Sequence, residues 1–158
     1  MTVIRPARRD DVPTILAFVR ELAAYEREPD AVVATPAQLR LALFGDKPAA
    51  EAVIAEVDGE PVGFALYFYT FSTWTGRRSL YLEDLYVREA ARGRGVGRAL
   101  MRHLAGVALD SDCQRFEWSV LDWNAPAIAF YRAIGAVGME DWTVQRVSGG
   151  ALATLAGR

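Results

Sequence analysis

The chain has almost no thiol or imidazole chemistry. It carries a single cysteine, Cys113, and a single histidine, His103, in 158 residues. One cysteine excludes an intrachain disulfide framework and a cysteine-rich metal site. One histidine poorly supplies a histidine-rich metal site or a Ser/His/Asp triad. His103 reads as a helix-surface residue. Cys113 reads as a small packing residue, with no cationic cluster beside it to stabilise a thiolate. A strong net charge is missing too: the formal value is −2, which argues against a general nucleic-acid or membrane-surface binder. There is no apolar run long enough for a transmembrane helix, and the N-terminus meets Arg5 too soon for a signal peptide. The expectation is a cytoplasmic protein with no metal site. At 52% hydrophobic and 24% charged, the composition is that of an ordinary globular protein, and the length fits one domain over residues 1–158.

The periodicities predict an order of elements. Residues 2–5 read as a short strand. Asp10 or Asp11 caps a helix with Val12, Ile15, Leu16, Val19, Leu22 and Ala23 at three-and-four spacing. Thr35-Pro36 starts a second helix that stops at Gly45. A strand over 52–57 meets Asp58-Gly59, a hairpin signal, and returns over 62–71. Strand 80–87 follows, then a glycine-rich turn and a helix ending near Asp110. Strand 115–121, a short helix capped by Asn124 and stopped by Gly135, a last strand at 142–147 and a weakly helical tail complete the chain. This β-α-α-β-β-β-α-β-α-β order predicts an α/β or α+β domain on a mixed sheet, with a parallel pair joined through a helix.

Three features carry chemistry. The first is Arg92-Gly93-Arg94-Gly95-Val96-Gly97, between a strand and a helix. Such a turn leaves backbone N–H groups without intrahelical partners, aimed at one spot that the helix dipole makes attractive to anions. Glycine lets a phosphate approach without a Cβ in the way. The spacing is neither a Walker motif nor Gly-x-Gly-x-x-Gly, and it sits past mid-chain rather than after the first strand. Arg88, Arg92, Arg94, Arg98 and Arg102 cluster here, either as a solvated face or as phosphate partners. The second feature is Glu83-Asp84, two carboxylates in an otherwise apolar strand. Simple alternation sends them to opposite faces, and an interior carboxylate is costly unless paired or bound to a cation. The third is Tyr131, after Trp123-Asn124-Ala125-Pro126-Ala127-Ile128-Ala129-Phe130. Alone it reads equally as a packing aromatic, as do Trp74 and Tyr25.

Arg92-x-x-Gly95-x-Gly97 after a strand resembles the acetyl-CoA signature of the GNAT superfamily of N-acetyltransferases. The likeness extends through Ile4-Arg5-Pro6-Ala7, Glu21-Leu22-Ala23-Ala24-Tyr25-Glu26, Tyr81-Leu82-Glu83-Asp84-Leu85-Tyr86-Val87 and the block from Trp123-Asn124 to Phe130-Tyr131. Together these blocks resemble the diamine acetyltransferase family. Ser72-Thr73-Trp74-x-Gly76-Arg77 and Leu121-Asp122-Trp123-Asn124 are more similar to its thialysine-acetylating branch than to its spermidine/spermine branch. The resemblance spans nearly the whole chain.

It implies a mixed, mostly antiparallel twisted sheet whose parallel strands splay around acetyl-CoA. Backbone groups of Leu85, Tyr86 and Val87 would pair with the pantetheine arm, and those of Gly93, Arg94, Gly95, Val96, Gly97 and Arg98, beside Arg92, would hold the pyrophosphate. Asn124, Ala125, Pro126 and Ala127 would line the other side. Tyr131 matches the family's general acid. Tyr25, Glu26, Trp74, Glu83, Glu117, Trp118 and Ser119 match amine-substrate positions. Members of the family are typically homodimers. The roles fit the chemistry. An alkylamine with a pKa near ~10 is protonated at neutral pH. Glu83 can bind the ammonium and, through water, help remove its proton. Where the polyamine branch carries Asp-Pro before the tryptophan, this chain has Ser72-Thr73, which takes one anion from the amine pocket. The residues leave open acetylation of a small amine, acetylation of a protein or peptide, a non-catalytic acyl-CoA-binding module, or a nucleotide-binding domain of another fold.

Overall fold

Turn-forming dipeptides punctuate the apolar runs from residue 51 onward, and the chain folds accordingly. A computed structural model describes all residues, 1–158. They form two compact units, Met1–Leu121 and Asp122–Arg158. The first holds a five-stranded sheet in chain order: β1 (Thr2–Pro6), β2 (Glu51–Val57), β3 (Glu60–Ser72), β4 (Arg77–Val87) and β5 (Phe116–Trp118). Strands β1 to β4 are antiparallel, and β4 and β5 are parallel. This is the mixed, mostly antiparallel sheet that the motifs imply. Asp58 and Gly59 take φ of 52° and 82°, the two left-handed residues that a tight hairpin requires.

Helices cover both faces, so β2 is buried along nearly its whole length. Ile15 and Phe18 of α1 (Val12–Tyr25) and Leu43 of α2 (Pro36–Phe44) pack with Ala52, Ile54 and Phe64. The Phe18 and Phe64 rings stack at 5.6 Å. Helix α3 (Val96–Asp110) packs against β1, β3 and β4, burying Val96, Leu100, Met101 and Leu104. Each such side chain contributes about 1.5–3 kcal/mol relative to exposure. Helix α2 starts at Thr35-Pro36 as expected, and Thr35 caps it reciprocally with Gln38. Cys113 is buried, consistent with a packing role.

Two details of α1 differ from expectation or shape the site. Asp11 does not cap the helix with its side chain. Its carboxylate instead accepts from the Arg8 N–H at 2.7 Å and from both Arg5 guanidinium nitrogens at 2.7 and 2.9 Å. Arg5 also donates to Glu56 at 2.6 Å. The ion pair wins because Arg5 holds Asp11 below the usual carboxylate range in a half-buried setting. At the other end, Arg27 takes φ of 66°. Its N–H bonds to Ala24 O and that of Glu28 to Ala23 O, closing the helix with a left-handed residue that is not glycine. This conformation costs about 1–2 kcal/mol and turns the chain sharply just after Glu26.

Gly63 faces the end of β4. A Cβ there would lie 2.6 Å from Tyr86 O and 3.3 Å from Val87 Cα, both backbone atoms. Gly63→Ala is expected to cost about 2 kcal/mol, lowering the thermal midpoint by roughly 4–8 °C. An unchanged midpoint in calorimetry would show that the strand end is free to shift.

In the second unit, α4 (Ala125–Ala133) begins where Asn124 Oδ1 accepts the Ala127 N–H at 3.4 Å. Gly135 follows with φ of 98°. The Phe130 and Tyr131 rings lie 5.5 Å apart. Helix α5 (Gly149–Leu155) ends the chain. The expected strand at 142–147 is not formed; the segment has no regular secondary structure and joins no sheet. Trp142 and Val144 are 69% and 82% exposed. Alternation is a local signal, and a strand needs a partner that alternation does not supply.

Candidate active site

The site grows from the way β4 parts from β5. Their pairing runs only from Leu80↔Phe116 to Leu82↔Trp118, shorter than the strand expected over 115–121. Beyond Leu82, β4 continues to Val87 with β3 on one side and no strand on the other. On that side the Val87 carbonyl accepts from Arg92 Nε, and the other N–H and C=O groups pair with no strand and can meet a ligand. The pairing with β3 breaks at the same place: Leu66 opposes Asp84 but Tyr67 opposes Leu82, so Glu83 is an extra, bulged residue. The bulge takes Glu83 out of the simple alternation expected for the pair, with Asp84 opposite Leu66 and Leu82 opposite Tyr67. Glu83 is exposed and Asp84 half-buried, and the Glu83 charge acts on the Asp84 carboxyl.

Asp84 is the site's most perturbed acid. Burial, then the charges of Glu83 and Glu26, pushes its pKa up to about 6. Glu26, at the C-terminal end of α1, is raised as well by burial. Three carboxylates thus share one electrostatic locus where β4 leaves β5. Such a cluster is costly alone and favourable around a cation. The resemblance points to Glu26 and Glu83 for the amine; Asp84 enters the sequence reading only as the second member of the Glu83-Asp84 pair. Its signal was its place in an apolar strand, which the sequence alone divides evenly between the two neighbours.

The glycine turn follows four residues after Val87. Gly93 and Gly95 take φ of 73° and 80°, with no heavy atom within 4 Å of either ideal Cβ. The turn opens into α3, whose first N–H groups have no intrahelical acceptors. An anion fits there. The arginine cluster divides. Arg88 forks onto Glu21 at 3.0–3.2 Å and lies over the Phe18 ring at 4.7 Å. Arg92 lies over Tyr25 and Tyr86. Arg94, Arg98 and Arg102 are exposed. The Tyr86 phenol is pushed up, by burial first and then by Glu21.

The other candidates are spread out. Tyr81 and Ser119 hydroxyls meet at 3.0 Å, beside Glu117 and Trp118 on β5. Trp74 stands 81% exposed at the β3–β4 turn, roughly 20 Å along the strand from Glu83 at ~3.3 Å per residue. Asn124, Ala125, Pro126, Ala127 and Tyr131 belong to the second unit, on and before α4.

A mixed sheet with one splayed parallel pair, an arginine- and glycine-rich turn and a following helix define a class. The chain matches the acetyltransferase (GNAT) family over residues 16–136, and it belongs to that family. It is an N-acetyltransferase. It is 41% identical over 167 aligned positions to a thialysine N-epsilon-acetyltransferase of Sus scrofa, covering 99% of this chain and 98% of that one. A Caenorhabditis elegans protein of the same name is 37% identical, over 90% of this chain and 89% of its own. Among solved structures, an integron cassette protein from the mobile metagenome of V. cholerae superposes with a TM-score of 0.82 at 29% identity, covering 99% and 98% of the two chains. No helix is long and apolar enough to cross a membrane.

Proposed function

We propose that this N-acetyltransferase uses acetyl-CoA and acts on the primary amine of a small cationic molecule, a diamine or a lysine-like amino acid. The observation that carries the reading is the trio Glu26, Glu83 and Asp84 at the free side of β4, next to an anion-binding turn. One end of the site suits a phosphate-bearing donor and the other an ammonium.

Acetyl-CoA supplies the acetyl thioester. Backbone groups along Leu85, Tyr86 and Val87 that face away from β3 align the donor, and the turn from Gly93 to Arg98, with Asn124, Ala125, Pro126 and Ala127, holds its remainder. The carboxylates bind the ammonium, and Glu83 takes its proton through water. A backbone N–H at the end of β4 stabilises the developing oxyanion. Tyr131 on α4 protonates the departing thiolate. The chain shows no nucleophile paired with a base, so direct attack by the amine is the simplest route. The names of the relatives support a thialysine-like acceptor, and the missing anion at Ser72-Thr73 weighs against long polyamines. Homodimerisation and a cytoplasmic setting complete the reading; the exposed apolar residues Val137, Met139, Trp142 and Val144 are a surface that a second copy would cover.

An acceptor panel of diamines, thialysine, lysine, neutral amines and lysine-bearing peptides, monitored by CoA release, tests this. Diamines or thialysine are expected to exceed neutral amines and peptides by at least about tenfold in kcat/KM, from one charge-assisted contact. Preference for peptides would move the activity to proteins, and acetyl-CoA binding without CoA release would make the chain a binding module.

A further inference from the structure

We propose that the Arg92 side chain is a positioning residue for the acceptor site rather than a phosphate ligand. The inference rests on the acetyltransfer reading and adds a component to it. Arg92 opens the glycine turn, and its charge invites a phosphate role. Its guanidinium is committed elsewhere. Nε donates to Val87 O at 2.8 Å, and Cζ lies 5.1 Å from the centroid of Tyr25 and 5.7 Å from that of Tyr86. The Arg88 N–H bonds to Val62 O across the sheet at 2.8 Å, so alternation turns the Val87 carbonyl to the open side, where Arg92 takes it.

These contacts join three parts of the site. Tyr25 is the last residue of α1 and precedes Glu26. Tyr86 and Val87 end β4, on which Glu83 and Asp84 sit. Arg92 begins the turn. The same helix face grips β4 once more, through Glu21 and Phe18 on Arg88. Arg88 alone would fix the middle of α1; Arg92 fixes its end. That end turns sharply at the left-handed Arg27, so a weaker hold on Tyr25 would let Glu26 move away from Asp84. Arg94 and Arg98, exposed and without ion pairs, are left to meet phosphates. A flat guanidinium can stack and donate along its edge together, which an ammonium cannot.

The test compares wild type, Arg92→Met, Arg92→Lys, Tyr25→Leu and the Arg92→Met/Tyr25→Leu double variant. CoA affinity is read by calorimetry, steady-state constants with thialysine as acceptor, and thermal midpoints on the same proteins. Arg92→Met is expected to raise the thialysine KM about tenfold, as the combined loss of an exposed cation–π contact and its hydrogen bond allows, and to weaken CoA binding by no more than about threefold. Arg92→Lys should resemble Arg92→Met, because charge is kept and the fork lost. The double variant should be no worse in KM or midpoint than the poorer single variant. A loss concentrated in CoA affinity and restored by lysine would overturn the proposal, as would additive effects. If wild type released no CoA with any acceptor, the acetyltransfer reading would fail on its own. Arg92 would then be judged by CoA affinity and by whether the midpoint shifts with Tyr25 are additive.

Discussion

Tyr131→Phe is expected to lower kcat by roughly ten- to thousand-fold, the scale of a lost general acid, while CoA binding stays within about threefold. The leaving group sets the need. A thiol has a pKa of about 8.5 and a phenol about 10, so the thiolate can take a proton from tyrosine as it departs. Phenylalanine keeps the ring that neighbours Phe130 at 5.5 Å and leaves the Asn124 cap of α4 untouched. A thermal midpoint on the same variant separates lost chemistry from lost folding, and steady-state kinetics beside a CoA titration separates turnover from binding. Unchanged turnover would remove Tyr131 from the chemistry and hand protonation to solvent.

Asp84→Asn should divide activity and stability in opposite directions. In the free protein its carboxyl titrates near pH 6, raised from 3.8 by burial and by the neighbouring carboxylates. An ammonium binds the ionised form, so wild-type kcat/KM should climb as pH rises through 6. The variant should lack that limb and lose about ten- to hundred-fold at pH 8, the value of one hydrogen bond to a charged group. The deficit should shrink below pH 5, where wild-type Asp84 is itself neutral. Stability runs the other way. The folded protein binds this proton more tightly than the unfolded chain, so Asp84 costs no stability below about pH 4. Its cost grows as pH rises between 3.8 and 6, to about 3 kcal/mol. Asp84→Asn should unfold at higher urea than wild type at pH 8 and at similar urea at pH 3. A variant with wild-type activity at pH 8, or with no gain in stability there, would show that Asp84 neither meets the acceptor nor bears the cost of its burial.

Much of the fold was legible because the signals are local. Asp58-Gly59, the Thr35-Pro36 helix start, Asn124 before α4 and the glycine turn each act within a few residues, and each forms where the sequence puts it. The candidate site was legible as a set of residue types, less so as an arrangement. Which of Glu83 and Asp84 is buried depends on a bulge, and a bulge is a property of two strands. The split among the arginines depends on Phe18, Glu21 and Tyr25, all more than sixty positions from the residues they hold. Asp11 looked like a cap because its rival, Arg5, lies on a strand. The segment at 142–147 has the alternation of a strand and no partner.

The bulge at Glu83 has a consequence for descent. In a regular strand, adding or removing one residue flips every side chain beyond it. Here the extra residue is already set aside. Val87, Tyr86, Leu85 and Asp84 stay opposite Gly63, Phe64, Ala65 and Leu66, and Leu82 stays opposite Tyr67, whether or not Glu83 is present. A one-codon deletion would erase one of the carboxylates proposed for the acceptor and leave the end of β4 proposed for the donor in register. On that reading, a lineage built on this strand can gain or lose an acidic group at the acceptor in one step while its donor site is inherited intact.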